Sequence, residues 1–250
     1  MKVRNEEATL EAAVRSLFEL VIVYEILIIL HRCVDASAAI AARLAAENPR
    51  VRVLHYDLSV SRPGYETLAT DADSEHSLIR YYNWCRQQAR YMWHVKWDAD
   101  FVAPTELVQW INGAGIWDKP HQIVRLAAHG TDDVEWGDYF SSCLSHYFKD
   151  VLWETPYYVY DPSLHVKHVL TDVWIEHRSA ASVLKSYWLE EPWYAAENTT
   201  EARAVQDRMA RLTADFGAEE RGAARSGSVI AVPMGQRIVD ARPAFVDFFS

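Results

Sequence analysis

The sequence predicts an α/β fold in which a mostly parallel sheet is flanked by helices, followed by an irregular α+β half. Short apolar runs rich in β-branched residues alternate with helical patterns through the first half of the chain. The strand, helix and strand between residues 21 and 56 have the lengths of a parallel crossover unit. From Gly130 the alternation becomes irregular. We therefore expect residues 1–128 and 129–250 to form the two halves of one continuous domain.

The elements of the first half follow from periodicity and capping residues. Asn5 is the expected N-cap of the first helix, and Asp35 or Ser37 that of the second. The predicted helices cover residues 8–17, 38–47, 74–91 and 104–111. The predicted strands cover residues 21–30, 51–56, 93–97 and 122–127. In the second half we expect short strands at 157–160 and 165–169, and helices at 179–189 and 200–216.

Composition restricts the function classes. The formal net charge of −10 argues against a general nucleic-acid binder, which would present a basic face. The three cysteines, Cys33, Cys85 and Cys143, follow neither a metal nor a disulfide pattern, which favours a reducing compartment. No signal peptide is evident, and the apolar run at 17–30 is too short to cross a bilayer. We expect a cytoplasmic protein without a transmembrane segment, in which peripheral association with the inner face of the membrane remains open.

Two carboxylates follow the predicted strand at 93–97. Asp98 and Asp100 are spaced i, i+2, so in an extended backbone both side chains point to the same side. Two oxygen ligands at that spacing suit Mg²⁺ or Mn²⁺ bound together with substrate phosphates. The alternative is an ordinary turn at the end of a strand, where Asp is common. His94 and Lys96 alternate with Val95 and Trp97, are expected on the other side of the strand from the neighbours of Asp98, and receive no role.

Three segments in order resemble the family 2 glycosyltransferases, which have the GT-A fold. They are Asn5-Glu6-Glu7, the loop His31-Arg32-Cys33-Val34-Asp35-Ala36-Ser37, and Asp98-Ala99-Asp100. The resemblance covers about the first 125 residues. It implies a Rossmann-like sheet that binds a nucleotide-diphosphate sugar at the carboxyl ends of its strands. It also implies a divalent metal, Mg²⁺ or Mn²⁺, on the donor's diphosphate.

The resemblance assigns roles residue by residue. Asn5 and Glu6 would lie near the base and ribose of the nucleotide. Asp98 would contact the ribose or a metal-bound water, and it would belong to both the catalytic residues and the metal site. Asp100 would ligate the metal.

The sequence departs from the family pattern at two places. His31 stands where the family usually has an acidic residue that contacts the base, and Asp35 is what remains of that loop's acidic motif. The family's first strand should precede Arg4, and only residues 1–3 are available for it. Loss of that strand would expose its neighbours' edges.

Further residues are predicted in the acceptor half and in the long loop at 57–73. Glu154, in a segment similar to an acidic-Pro segment of some relatives, would be the catalytic base. His177 resembles a late histidine that contacts metal or phosphate, and the alternative is a rim histidine before a helix. Arg62 would contact a phosphate of the nucleotide sugar. The other candidate bases are Asp132, Asp133, Glu135, Asp138, Asp161 and Glu176.

These features together predict a metal-assisted transferase. It would move a hexose-type sugar from a nucleotide-diphosphate sugar to a saccharide or glycolipid acceptor, with inversion, and the resemblance implies polysaccharide biosynthesis as its setting. Two alternatives stay open. One is a catalytically silent carbohydrate-binding or scaffold protein, and the other is a metal-dependent nucleotide-sugar phosphohydrolase.

Overall fold

The structure of the chain is a computed structural model, and it describes nine stretches of the sequence. They are residues 1–62, 65–91, 93–113, 122–129, 134–141, 146–148, 157–159, 167–178 and 191–215. The predicted helix at 179–189 lies outside these residues.

Helices and strands alternate in the first half, and strands then predominate until the last two helices. The helices are α1 Leu10–Ser16, α2 Ser37–Glu47, α3 Tyr65–Ala69, α4 Leu78–Gln87, α5 Thr105–Gly113, α6 Trp193–Ala196 and α7 Thr200–Asp215. The strands are β1 Lys2–Val3, β2 Ile26–His31, β3 Val51–Tyr56, β4 His94–Val95, β5 Phe101–Val102, β6 Gln122–His129, β7 Val134–Ser141, β8 His146–Phe148, β9 Tyr157–Val159 and β10 Lys167–His177.

The chain divides into two compact units. The first comprises Met1–Leu58, Cys85–Ser145 and Tyr160–Tyr187. The second comprises Ser59–Trp84, His146–Val159 and Trp188–Ser250. Both units are therefore assembled from segments that are far apart in the sequence.

The first unit contains a three-stranded parallel sheet with the order β1-β2-β3. β2 and β3 pair along their whole lengths, from Ile26 opposite Val51 to His31 opposite Tyr56, and α2 connects them. This is the predicted parallel crossover unit. The two-residue β1 pairs with Ile29 and Leu30 of β2, so the short stretch before Arg4 does form a strand.

Three local predictions are wrong in this region. Neither Asp35 nor Ser37 is the N-cap of α2, because α2 begins at Ser37 and its N-cap position is Ala36. β2 begins at Ile26 rather than at residue 21, because residues 17–23 form successive short turns. Four backbone amides there donate to the carbonyl three residues earlier, those of Leu17, Phe18, Leu20 and Val23. Asn5 is not a helix N-cap, because α1 begins at Leu10 after Thr9 and Asn5 lies in the turn before it.

A second, five-stranded sheet in the first unit has the order β4-β7-β6-β10-β5. β6 and β10 are parallel, whereas the other three pairs are antiparallel. The expectation of a mostly parallel sheet therefore holds for β1 to β3 and fails for this sheet. The direction of each pair in this sheet is set by pairing between strands far apart in the sequence, which local periodicity does not reveal.

One apolar core fills the first unit. Leu10 and Val14 of α1, Ile28 of β2, and Leu107 and Ile111 of α5 are fully buried in it. Phe101 of β5 and Ile175 of β10 belong to the same core, which ties the second sheet to the parallel one. The short strand β5 is thus held by the core through Phe101 and through the buried residues Ala99 and Ala103 that flank it.

The second unit has a smaller core around α6 and α7. Trp193, Ala202 and Val205 are buried there together with Ala69 of α3.

Within the described ranges, the chain has no helix that combines the length and apolar character needed to cross a membrane.

Candidate functional site

The loops that follow β1 and β2 are locked together by hydrogen bonds. Because these strands are parallel neighbours, their carboxyl ends meet at one edge of the sheet, where open α/β sheets bind ligands. The backbone amide of Val34 donates to Oδ1 of Asn5 at 2.8 Å. The backbone amide of Glu6 donates to Oγ of Ser37 at 2.9 Å. The two segments named by the resemblance therefore form one interlocked structure.

Asp35 is the centre of this interlock. Its Oδ1 accepts the backbone amide of Ser37 at 2.9 Å, and its Oδ2 accepts that of Glu7 at 3.0 Å. A second hydrogen bond runs in the opposite direction between the loops, since Oε2 of Glu7 accepts the backbone amide of Ala36 at 2.9 Å. Partial burial raises the pKa of Asp35, but the hydrogen bonds from Ser37 and Glu7 outweigh it and the net pKa lies below the ordinary value. The carboxylate thus stabilises the loop in its ionised form.

Two residues of these loops have left-handed backbone conformations. The φ angle is 55° at Asn5 and 49° at Arg32. Asn tolerates this region better than most residues, and its side chain here accepts the amide of Val34. The left-handed backbone and the hydrogen bond from Val34 together explain why Asn suits position 5.

His31 ends β2 and is buried. Its Nε2 lies 3.0 Å from the backbone carbonyl oxygen of Leu58, which can only accept, so Nε2 carries the proton. Its ring meets that of Tyr56 edge to face, with 5.9 Å between centroids. Nη1 of Arg4 lies 3.4 Å from Nδ1. His31 is therefore held by its neighbours on three sides.

Asp98 and Asp100 lie on a turn, not at the end of a strand. The strand β4 ends at Val95, and the amide of Phe101 donates to the carbonyl of Asp98 at 3.1 Å. The premise that an extended backbone aligns the two carboxylates is therefore wrong. The Asp100 residue is buried at 4% exposure, whereas the side chain of Asp98 is 31% exposed.

Lys96 contacts this turn directly. Its Nζ donates to Oδ2 of Asp98 at 2.8 Å and lies 5.8 Å from the ring centroid of Phe101. The sequence assigns Lys96 no role, but its i, i+2 spacing from Asp98 already allows the two side chains to share one side of the backbone. The sequence offered one signal, a lysine two residues before an aspartate.

The end of β10 lies beside the same turn. β10 pairs antiparallel with β5, which places His177 opposite Phe101. The next residue, Arg178, donates its backbone amide to the carbonyl of Asp100 at 2.8 Å. The fold thus brings the backbone positions of all three predicted metal ligands together, although the side chain of His177 lies outside the described part.

The side chains at this turn suit a divalent metal in their chemistry. Two carboxylates supply hard oxygen donors, although Lys96 already binds one oxygen of Asp98. Within the side chains that the structure describes, no group of three or more His, Cys, Asp or Glu residues forms a metal cluster. Among the described side chains, the oxygen donors at this turn are therefore the carboxylates of Asp98 and Asp100.

Two further predicted residues are Arg62 and Glu154. Arg62 belongs to the second unit, where its Nε donates to Oε1 of Glu66 at 2.7 Å. The hydroxyl of Tyr194 also donates to Glu66, at 3.4 Å. Burial and the Glu66 carboxylate raise the pKa of Tyr194 to about 12. The proposed base Glu154 lies outside the described residues.

Comparison with known proteins gives structural similarities but no sequence match. The chain matches no protein-family model and no curated protein sequence. It is similar to a crystal structure of S. aureus TarS, residues 1–349, with 14% sequence identity and a TM-score of 0.37. The match covers 53% of this chain and 35% of that one, so the chain spans about a third of the length of its structural neighbour.

Proposed function

We propose that the chain is a glycosyltransferase that uses a nucleotide-diphosphate sugar as donor, a saccharide as acceptor and Mg²⁺ or Mn²⁺ as cofactor. The observation that supports this most is the junction of Asp100 with the end of β10. A hydrogen bond of 2.8 Å joins Arg178 to Asp100, and the register places His177 next to the Asp98–Asp100 turn. Residues predicted for one site from widely separated sequence positions are neighbours in the fold.

Each residue has a distinct role in this proposal. Asp98 and Asp100 hold the metal, with His177 as a third contact. The bound metal supplies positive charge next to the donor's diphosphate. Asn5 and Glu6 flank the nucleotide from the interlocked loops, and the rigid backbone there keeps the edge of the sheet in a fixed shape.

The transfer step requires a base on the acceptor side. Glu154 takes the proton of the acceptor hydroxyl while that oxygen forms a bond to the anomeric carbon. The bond from the anomeric carbon to the phosphate oxygen breaks at the same time, and the nucleoside diphosphate leaves with its electron pair. Attack from the side opposite the leaving group inverts the anomeric configuration.

The identity of the released product tests the proposal. The chain is incubated with UDP-, GDP- and TDP-sugars, Mn²⁺ and mixed saccharide acceptors, and the products are separated by chromatography. A transferase releases nucleoside diphosphate, faster with acceptor present. The rate of nucleoside diphosphate release should fall at least about 100-fold in the Asp100→Asn variant, because loss of one group that stabilises transition-state charge often has an effect of this size. Glu106→Gln, which changes an exposed carboxylate of α5, should retain it.

The same assay distinguishes the two alternatives. A nucleotide-sugar phosphohydrolase would release nucleoside monophosphate and sugar phosphate without acceptor. A silent carbohydrate-binding protein would release neither product and would bind saccharides without metal. Either result would contradict the proposed activity.

A further inference from the structure

Lys96 holds Asp98 in a partly desolvated ion pair. The two side chains are 33% and 31% exposed, and 2.8 Å separates Nζ from Oδ2. The ammonium also lies 5.8 Å from the ring centroid of the buried Phe101, within reach of a cation–π contact. Attraction between these charges is stronger than for a fully exposed pair, since less water surrounds them.

A divalent cation at Asp98 would compete with this ammonium. Metal and ammonium seek the same carboxylate oxygen, and two positive charges a few ångströms apart repel each other. The lysine has a flexible stem of four carbons, so its ammonium can leave the carboxylate without movement of the backbone. Exchange of one cation for the other is therefore sterically simple.

We propose that Lys96 is a built-in counter-ion for Asp98, which a divalent metal must displace in order to bind. This inference rests on the proposed metal site at Asp98 and Asp100. In the absence of donor, the Asp98 carboxylate is neutralised by Lys96, and free metal binds more weakly than it would bind to Asp98 and Asp100 without that ammonium. Donor phosphates add ligands to the metal and favour the exchange, so metal and nucleotide bind together.

Binding of Mn²⁺ alone tests the exchange, with the signal of free Mn²⁺ followed by electron paramagnetic resonance. Lys96→Gln should bind Mn²⁺ about 10-fold more tightly than the unchanged chain, which corresponds to about 1.4 kcal/mol. This gain should shrink as ionic strength rises. Lys96→Arg keeps the charge and should keep the weak affinity. Arg203→Gln, which removes one exposed positive charge from α7, should also leave the affinity unchanged.

Equal or weaker Mn²⁺ binding by Lys96→Gln would overturn the inference, as would the absence of binding by both proteins. Lys96→Met removes the same charge and keeps the apolar stem, so it replaces Lys96→Gln if that variant does not fold. Asp98→Asn combined with Lys96→Gln should abolish the gain, and persistence of the gain would also overturn the exchange. A nucleoside diphosphate added in separate samples tests the proposed function independently. If no nucleotide binds while the Mn²⁺ gain persists, the transferase proposal fails and the exchange stands.

Discussion

The backbone amide of Arg178 donates a 2.8 Å hydrogen bond to the backbone carbonyl of Asp100. This contact joins a turn after β4 to the end of β10, across more than seventy positions of sequence. It fixes the backbone of Asp100 relative to the end of β10. The candidate site therefore depends on a backbone contact as much as on its side chains.

Replacement of Arg178 by proline tests that contact. Proline has no amide hydrogen, so Arg178→Pro leaves the carbonyl of Asp100 without this donor. We expect a loss of about 1–3 kcal/mol in the free energy of unfolding, measured by urea denaturation. Arg178→Ala is the matched control: it keeps the amide and removes an exposed ion pair with Glu176, which should cost less than about 1 kcal/mol. Equal losses in the two variants would contradict a role for the backbone contact.

Asp35 should make the interlocked loops sensitive to acid. Because its pKa is lower in the folded state than in the unfolded one, its contribution is fully present above the ordinary value of about 3.9. The contribution is lost as pH falls through the lower, folded-state pKa. Asp35→Ala removes both acceptors for the amides of Glu7 and Ser37 and should cost about 1–2 kcal/mol near neutral pH.

Urea midpoints measured at several pH values check this expectation. The difference between the unchanged chain and Asp35→Asn should be constant near neutral pH and should shrink below about pH 3.9. A difference that grows on acidification would show that the sign of the pKa shift is wrong.

Arg62 should affect folding of the second unit. The Glu66 side chain is 5% exposed, so Arg62→Ala leaves a buried carboxylate without its guanidinium. The expected loss is about 2–4 kcal/mol, because removal of one partner from a buried pair is costly. Arg62→Ala combined with Glu66→Gln should cost less than the sum of the single changes. Weaker nucleotide binding by Arg62→Ala at unchanged stability would instead favour the phosphate role predicted from the sequence.

Local signals in the sequence were sufficient for part of the fold. The parallel pair β2 and β3, with α2 between them, follows from apolar runs and an alanine-rich helical pattern. The start of β2 could not be predicted in this way, because Leu17 and Leu20 are buried in the core although they lie in turns. A continuous apolar run cannot distinguish a buried turn from a buried strand.

The candidate site shows the same division. Its residue types and their order were visible in the sequence, and a turn was the alternative interpretation of the two aspartates. The early end of β4 at Val95 was not visible, since the backbone path that follows depends on packing around Trp97 and Phe101. The Trp97 indole donates to the carbonyl of Phe101 at 2.9 Å, and both rings are buried.

Calorimetric titration of UDP, GDP and TDP, with and without Mn²⁺, tests the central claim most directly. The account predicts that one of these nucleotides binds in the presence of Mn²⁺. Its affinity should fall at least about 10-fold without the metal or in Asp100→Asn, a difference of about 1.4 kcal/mol. Glu106→Gln should bind as the unchanged chain does. Binding of none of the three nucleotides, or binding that is indifferent to both Mn²⁺ and Asp100, would contradict a metal-assisted nucleotide-sugar site at this turn.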